Sequence, residues 1–301
     1  MIEQRAYRDG LDAEAMRDLL RRIAADGRVA PYCLPGDLDW WQVLDDERNA
    51  LQRVQLWFDD SLLLGFAWPG ADQADLVTDP DYPWLSDELI SWAAQRHPAA
   101  VLWSWRRDGA RIAALQRAGY AQSGAALIGL QHALQRMPAP RMLPDEWDVR
   151  EVRTPEDRRR RAAAQRAAFD SGKMTAEKYE RVREMPGYRP ELDLMVIDDA
   201  GECAAFVTIW FDPGSAIGLL EPVGTRPAYR RRGLARALIL HGLHRLRARG
   251  ARRAWVNAEG PDSPGLQLYQ ALEFVPVDTL HAWRRQPARQ PAPDGDPTID
   301  G

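Results

Sequence analysis

The sequence predicts an α/β (α+β) protein built from two similar domains, each a mixed, mostly antiparallel sheet with helices on both faces. Three observations carry this. The chain has 301 residues and is 45% hydrophobic, enough to fill two cores of ordinary size. The stretch "QRMPAPRMLPDEW" (135–147) is rich in proline, lacks periodicity and divides the chain nearly in half. The halves on either side of it repeat one another, and a repeat missed at this point misreads the whole fold.

Taken in order, each half opens with a short extended segment and a charged helix: "IEQRAYRDGLDAEAMRDLLRRI" against "WDVREVRTPEDRRRRAAAQRAAF". An apolar strand pair follows, "RVQLWFDDSLLLGFAWPG" against "LDLMVIDDAGECAAFVTIWFDPG", whose Asp-Asp and Gly positions read as hairpin turns. Next come "LVTDPDYPWLSDELI" and "VGTRPAYRRRGLARALI", which share Pro-x-Tyr and a following helix, and last "LQRAGY" (115–120) opposite "YQALEF" (269–274). The boundaries are therefore 1–134 and 147–285, with 135–146 as linker. The final "QPARQPAPDGDPTIDG" (286–301) has almost nothing to bury and is expected to form an unstructured tail.

Composition removes several classes of function. Cys33 and Cys203, one in each half, make neither a disulfide framework nor a metal cluster and read as buried thiols. The five histidines lack metal-ligand spacing, so no metal is expected. The N-terminal "MIEQRAYRDG" carries Glu3 with no apolar segment after it, and "LLLGFAW" (62–68) is strand-sized, so no membrane is expected and the localisation reads as cytoplasmic. The eight tryptophans of the first half, among them Trp40, Trp41, Trp103 and Trp105, read as core and inter-domain packing rather than a ligand pocket.

Charge is informative locally. The net charge is −4, yet no acid lies between Glu221 and Glu259, and ten arginines from Arg226 to Arg253 fall inside that window. The strand "IGLLEPVGT" (217–225) runs into a turn at Arg226-Pro227, and a helix begins near Gly233. Ala235, Leu238, Ile239, Gly242 and Leu246 share one face of it, and Gly250 stops it. A helix N-terminus binds phosphate through its free N–H groups and dipole, and Gly233 allows close approach. Arginines at the rim add charge-assisted hydrogen bonds, so a pyrophosphate is the natural guest. The first half has "PWLSDEL" between Tyr82 and Ile90 where the second has "RRRGLARAL" between Tyr229 and Ile239; every arginine and the glycine are missing. A nucleic-acid partner is disfavoured by a pI of 5.8, by acidic neighbours and because base-stacking aromatics are not interleaved along these charges.

The segment Arg230-Arg231-Arg232-Gly233-Leu234-Ala235, preceded by strand residues Val223, Gly224 and Thr225, resembles the acyl-CoA-binding motif of the GNAT superfamily of N-acetyltransferases. The strand "AWVNAEG" with Asn257, then "SPGLQLYQALEF", is similar to a second motif of that family. Glu273 stands where the family has glycine, which alters a turn. The resemblance is good over 147–285 and weak over 1–134, which looks like a degenerate, non-catalytic copy. It implies a tandem arrangement in which two central strands splay apart to admit the pantetheine arm of acetyl-CoA, or of another acyl-CoA, as co-substrate. Backbone groups of Val223 and Thr225 would pair with the pantetheine, the N–H groups of Arg231 to Arg236 would hold the pyrophosphate, and Asn257 would sit on the facing strand.

Transfer to an amine needs a neutral nucleophile, whereas a lysine-like amine with a pKa of about 10.4 is protonated at pH 7. Glu221, two residues before Val223 on the same strand face, is the candidate general base; an ion pair with a nearby arginine is the competing reading. Tyr269 matches the family's general acid for the leaving thiolate, against a plain core role, while the first half has Leu115 there and Trp103 opposite Asn257. Asp170, Glu177, Glu180 and Glu184 on a helical flap, with Asp212, point to a cationic acceptor, and a solvated face explains them equally well. The expected activity is N-acetyl transfer to a small-molecule or peptide amine by a monomer or homodimer. The alternative is a non-catalytic acyl-CoA sensor.

Overall fold

The computed structural model describes residues 2–45, 50–140 and 142–286. The expected tail, apart from Gln286, lies outside them. The first half runs β1 (Ile2–Ala6), α1 (Gly10–Asp26), α2 (Pro35–Leu44), β2 (Gln55–Asp59), β3 (Leu62–Pro69), β4 (Ala74–Thr78), α3 (Leu85–Arg96), β5 (Leu102–Trp105), α4 (Gly109–Arg117) and β6 (Tyr120–His132). The second runs β7 (Trp147–Glu151), α5 (Pro155–Phe169), α6 (Ala176–Glu184), β8 (Asp193–Asp198), β9 (Cys203–Asp212), β10 (Ile217–Thr225), α7 (Leu234–Ala248), β11 (Arg253–Glu259), α8 (Pro264–Gln270) and β12 (Val275–Arg285).

Local chemistry sets the element boundaries. Asp9 caps α1 by accepting from the Leu11 N–H, and Gly27 ends it at φ 70°. Thr154 and Asp157 form a capping box around Pro155 at the start of α5. Asp60 turns the β2–β3 hairpin at φ 50°, and Gly201 turns β8 into β9 at φ 79°. Cys203 to Phe211 of β9 are all buried, as befits a strand covered by helices on both faces.

The strands form a four-stranded sheet, β1-β2-β3-β4, and an eight-stranded one, β5-β12-β6-β11-β10-β9-β8-β7. Each half supplies four antiparallel strands and then a strand parallel to the fourth. In the second half β10 and β11 pair over three residues; in the first, a single parallel bridge from Gln73 to Val101 lies just before the starts of β4 and β5. The last strand of each half is exchanged: β6 pairs with β11, and β12 lies between β5 and β6. Helices cover both faces, as the sequence pattern predicts.

Contact between the halves extends to the helices. Gly36 of α2 approaches so closely that a Cβ there would lie 2.4 Å from Trp210 Cβ on β9. The Trp40 ring packs on Trp210 at 6.1 Å, and Trp105 on Trp255 at 6.2 Å. Asp39 accepts from the Gly187 N–H at 2.6 Å, while Lys178 and Arg181 of α6 donate to Leu44 and Gln42 carbonyls of α2. These are the packing roles expected of the first-half tryptophans. Trp41 and Trp103 instead line a cavity. Cys33 and Cys203 are buried and unpaired. Among the described residues no helix is long and apolar enough to cross a membrane.

Candidate active site

The parallel pairing of β10 with β11 stops after Ile217–Arg253, Gly218–Ala254 and Leu219–Trp255, and beyond this point the strands part. On its other side β10 stays with β9, where Val223, Gly224 and Thr225 pair with Val207, Phe206 and Ala205. The edge of β10 that faces the fork has no strand partner there, so its backbone is open to an extended guest. Gly224 has a local reason as well: a Cβ would lie 2.3 Å from the Phe206 ring.

A bulge sits at the fork. Three steps along β10, Leu220 to Val223, oppose two along β9, Ile209 to Val207. Simple alternation, which places Glu221 on the face of Val223, therefore does not hold across this point. The Glu221 carbonyl accepts the Trp210 Nε1–H at 2.6 Å.

Past the fork, a short 3₁₀ turn, Pro227–Tyr229, leads into the arginines. Arg231 has φ 66° and Gly233 φ 79°; Gly233 is the N-cap of α7, and no side chain caps that helix. The N–H groups of its first turn are consequently left for a ligand or water. Leu234 is buried and Ala235 half-buried, which anchors the turn, while Arg230, Arg231, Arg232 and Arg236 are exposed. Arg230 is tied back to the Thr225 and Ala168 carbonyls, and Arg232 lies 5.9 Å from the Trp147 ring and 5.7 Å from Tyr229. Arg231 and Arg236 make no hydrogen bond or ion pair among the described residues.

Tyr269, on α8, is 6% exposed and packs on Phe274 at 5.7 Å. Its hydroxyl has no hydrogen-bond partner among the described residues. Burial first, and then the negative charge of Glu221, pushes its pKa up, so it stays protonated and able to donate. Glu273 adopts φ 65°, the left-handed conformation that a glycine would take at that turn.

Glu221 makes no ion pair with arginine among the described residues; the side chains against it are Asp37 and Trp40, both from α2 of the first half. Burial pushes both Asp37 and Glu221 up; the neighbouring Glu221 raises Asp37 further, while hydrogen bonds from Asp37 and Trp40 offset part of the rise at Glu221, and the pair holds a proton more tightly than free acids would. Asp37 also accepts the Leu34 N–H at 2.6 Å. A cavity of about 170 Å³ opens here between the halves, lined by Asp37, Trp41, Asp75, Trp103, Glu221 and Asn257, among others. Asn257 itself accepts from Trp255 Nε1 at 3.1 Å.

Asp37 and Asp75 escape a sequence reading that takes each half by itself. The available signal for Asp75 is an acid inside the strand "ADLVT", where Leu76 and Val77 are buried. The flap acids are not in this cavity. Asp212 pairs with Arg21 at 2.8 Å and Glu180 with Arg158 at 2.5 Å, while Asp170, Glu177 and Glu184 are exposed. The acidity of the site comes instead from Asp37, Asp75 and Glu221.

A fork between parallel strands, set beside an uncapped helix N-terminus, is the architecture of the GNAT fold. The profile of the Acetyltransferase (GNAT) family matches residues 149–274. A GCN5-related N-acetyltransferase from Sphaerobacter thermophilus superposes with a TM-score of 0.65 at 18% identity, covering 94% of each chain. A tandem GNAT protein from the clavulanic acid biosynthesis pathway gives 0.64 at 19%, covering 94% of this chain and 98% of the other. Among curated relatives, the mycothiol acetyltransferase of Beutenbergia cavernae is 35% identical over 114 residues, 38% of each chain. That of Segniliparus rotundus is 28% identical over 194 residues, 62% of this chain and 71% of the relative. The matched stretch thus spans well under half of the first relative's length. These matches support the GNAT acetyltransferase family.

Proposed function

We propose that the protein is an acetyl-CoA-dependent N-acetyltransferase whose second half carries the chemistry, and whose first half is a degenerate copy that helps to build the acceptor site. The observation that carries this reading is an open strand edge and an uncapped helix N-terminus at one fork, with Glu221 on the forking strand near enough for its charge to act on Tyr269.

In this reading the N–H groups of Arg231 to Arg236 hold the pyrophosphate, with Arg231 and Arg236 free to reach it, and the open edge of Val223 to Thr225 pairs with the pantetheine arm. The acceptor enters the inter-half cavity as an ammonium and gives a proton to Glu221. The neutral nitrogen attacks the thioester carbonyl carbon, and an N–H near Val223 meets the developing oxyanion. Collapse breaks the C–S bond, the departing thiolate takes a proton from the Tyr269 hydroxyl, and the second proton lost by the acylated nitrogen restores that hydroxyl, leaving a neutral amide and the CoA thiol. The raised affinity of the Asp37–Glu221 pair for a proton suits a base that works against an amine near neutral pH.

The test is a screen of primary amines with acetyl-CoA, reading thiol release. Turnover that depends on Glu221 and Tyr269 supports the reading. Thermal stabilisation by acetyl-CoA with no thiol released from any amine would replace it with a non-catalytic acyl-CoA sensor.

A further inference from the structure

The inter-half cavity holds more carboxyl groups than a single amine needs. Asp75 lines it, and among the described residues its carboxylate accepts a hydrogen bond from the Gln73 amide alone, at 3.2 and 3.4 Å. No ion pair reaches Asp75 among the described residues. Burial raises the proton affinity of all three carboxyls, that of Asp75 to a pKa of about 6, and a cation entering among them favours their ionised forms. The one guanidinium in the wall is committed elsewhere. Arg111 donates to the Leu76 carbonyl at 2.8 Å and to Thr78 Oγ1 at 3.2 Å, and lies 3.8 Å from the Tyr32 ring centroid.

Arg111 is 2% exposed and its Nε lies 3.9 Å from the Asp108 carboxylate, so its charge is held within the first half. The half-buried Trp41 and Trp103 also line the cavity, and aromatic faces attract cations. Carboxyl groups and aromatic faces together fit an organic cation as the counter-charge.

We propose that the acceptor is a small diamine-type dication: one nitrogen is acetylated at Glu221, while the second stays charged and is held by Asp75 beside Trp41 and Trp103. This rests on the acetyltransferase reading and specifies its substrate class. The balance closes: one ammonium becomes a neutral amide with release of a proton and CoA thiol, and the product leaves with one positive charge where the substrate brought two. An uncompensated buried carboxylate is costly, so a monoamine of equal length binds less well because it leaves Asp75 unpaired.

The experiment is calorimetric titration of 1,4-diaminobutane and 1-aminobutane into the full-length protein with CoA present, for the parent, Asp75→Asn and Asp75→Glu, with acetyl-CoA affinity measured in parallel. The expected result is a preference for the diamine of about tenfold or more. It should collapse to about twofold in Asp75→Asn, persist in Asp75→Glu, and leave acetyl-CoA affinity unchanged in both. Equal binding of the two amines to the parent, or a preference that survives Asp75→Asn, overturns the dication proposal. The acetyltransferase reading is judged separately, by acetyl-CoA binding and thiol release, so the two can fail independently.

Discussion

The same strand-to-helix junction occurs twice in this molecule and is finished in opposite ways. After β4, the chain passes Asp79, which is buried and paired with Arg22 at 3.1 Å, and enters α3 with Asp87 and Glu88 in the first turn. α3 also has no side-chain cap, but its first-turn acids lie where they favour the positive end of the helix dipole. After β10, no acid appears, α7 starts from an uncapped Gly233, and exposed arginines surround it. One junction is electrostatically closed and the other is left open. In the proposed reading, a repeat keeps its fold while anion binding is confined to one copy by the residues of a single turn.

The contrast is broken most forcefully at Gly233. Its φ of 79° admits a β-branched residue only with strain, and a Cβ would stand where a phosphate must approach the backbone. Gly233→Val is expected to weaken acetyl-CoA binding by about a hundredfold or more with the fold retained, read by calorimetry and circular dichroism. Unchanged affinity would end the phosphate-loop assignment.

Tyr269 sharpens the comparison next, because its counterpart in the first half is Leu115, which is fully buried. Tyr269→Phe keeps the ring against Phe274 and removes only the proton donor. The rate should fall by roughly a hundredfold while acyl-CoA affinity barely moves. Turnover at the parent rate would return Tyr269 to the core.

A smaller and pH-dependent loss is expected for Glu221→Gln. Below the raised pKa of Glu221 the parent also lacks an ionised base, so the two proteins converge there. Far above it, toward the amine's own pKa of about 10.4, free amine is abundant and they converge again. The deficit should be widest between these limits, and a gap constant across pH would mean that Glu221 acts in some other way. The smallest effect belongs to the closed junction. Asp87→Arg should leave acetyl-CoA affinity within about twofold of the parent, because it alters the first turn of α3 and an exposed pair with Arg117, at 2.7 Å, and no residue of the fork between β10 and β11.

The sequence reveals these elements unevenly. The helix start at Gly233, the turn at Arg226-Pro227 and the hairpins rest on local chemistry, and each lies where the sequence pattern puts it. Glu221 is visible as a strand acid, but the bulge at Leu220–Val223 removes the alternation that would orient it, because an extra residue reverses the faces. Asp37 and Asp75 become site residues only because α2 and β4 of one half meet β10 of the other, a contact between segments far apart in sequence. Asp212 misleads for the same reason: its partner, Arg21, is in the other half of the chain.

The exchanged strands also bear on how the molecule is made. β6 is complete once His132 has been synthesised, yet both of its final neighbours, β11 and β12, come from residues 253–285. At roughly 5–20 residues per second, the remaining stretch of about 150 residues keeps β6 waiting on the order of ten seconds. Through that interval a 13-residue strand has neither of its eventual partners. The first half therefore cannot complete its pairing during its own synthesis, and final assembly of the sheet depends on the last strand to leave the ribosome.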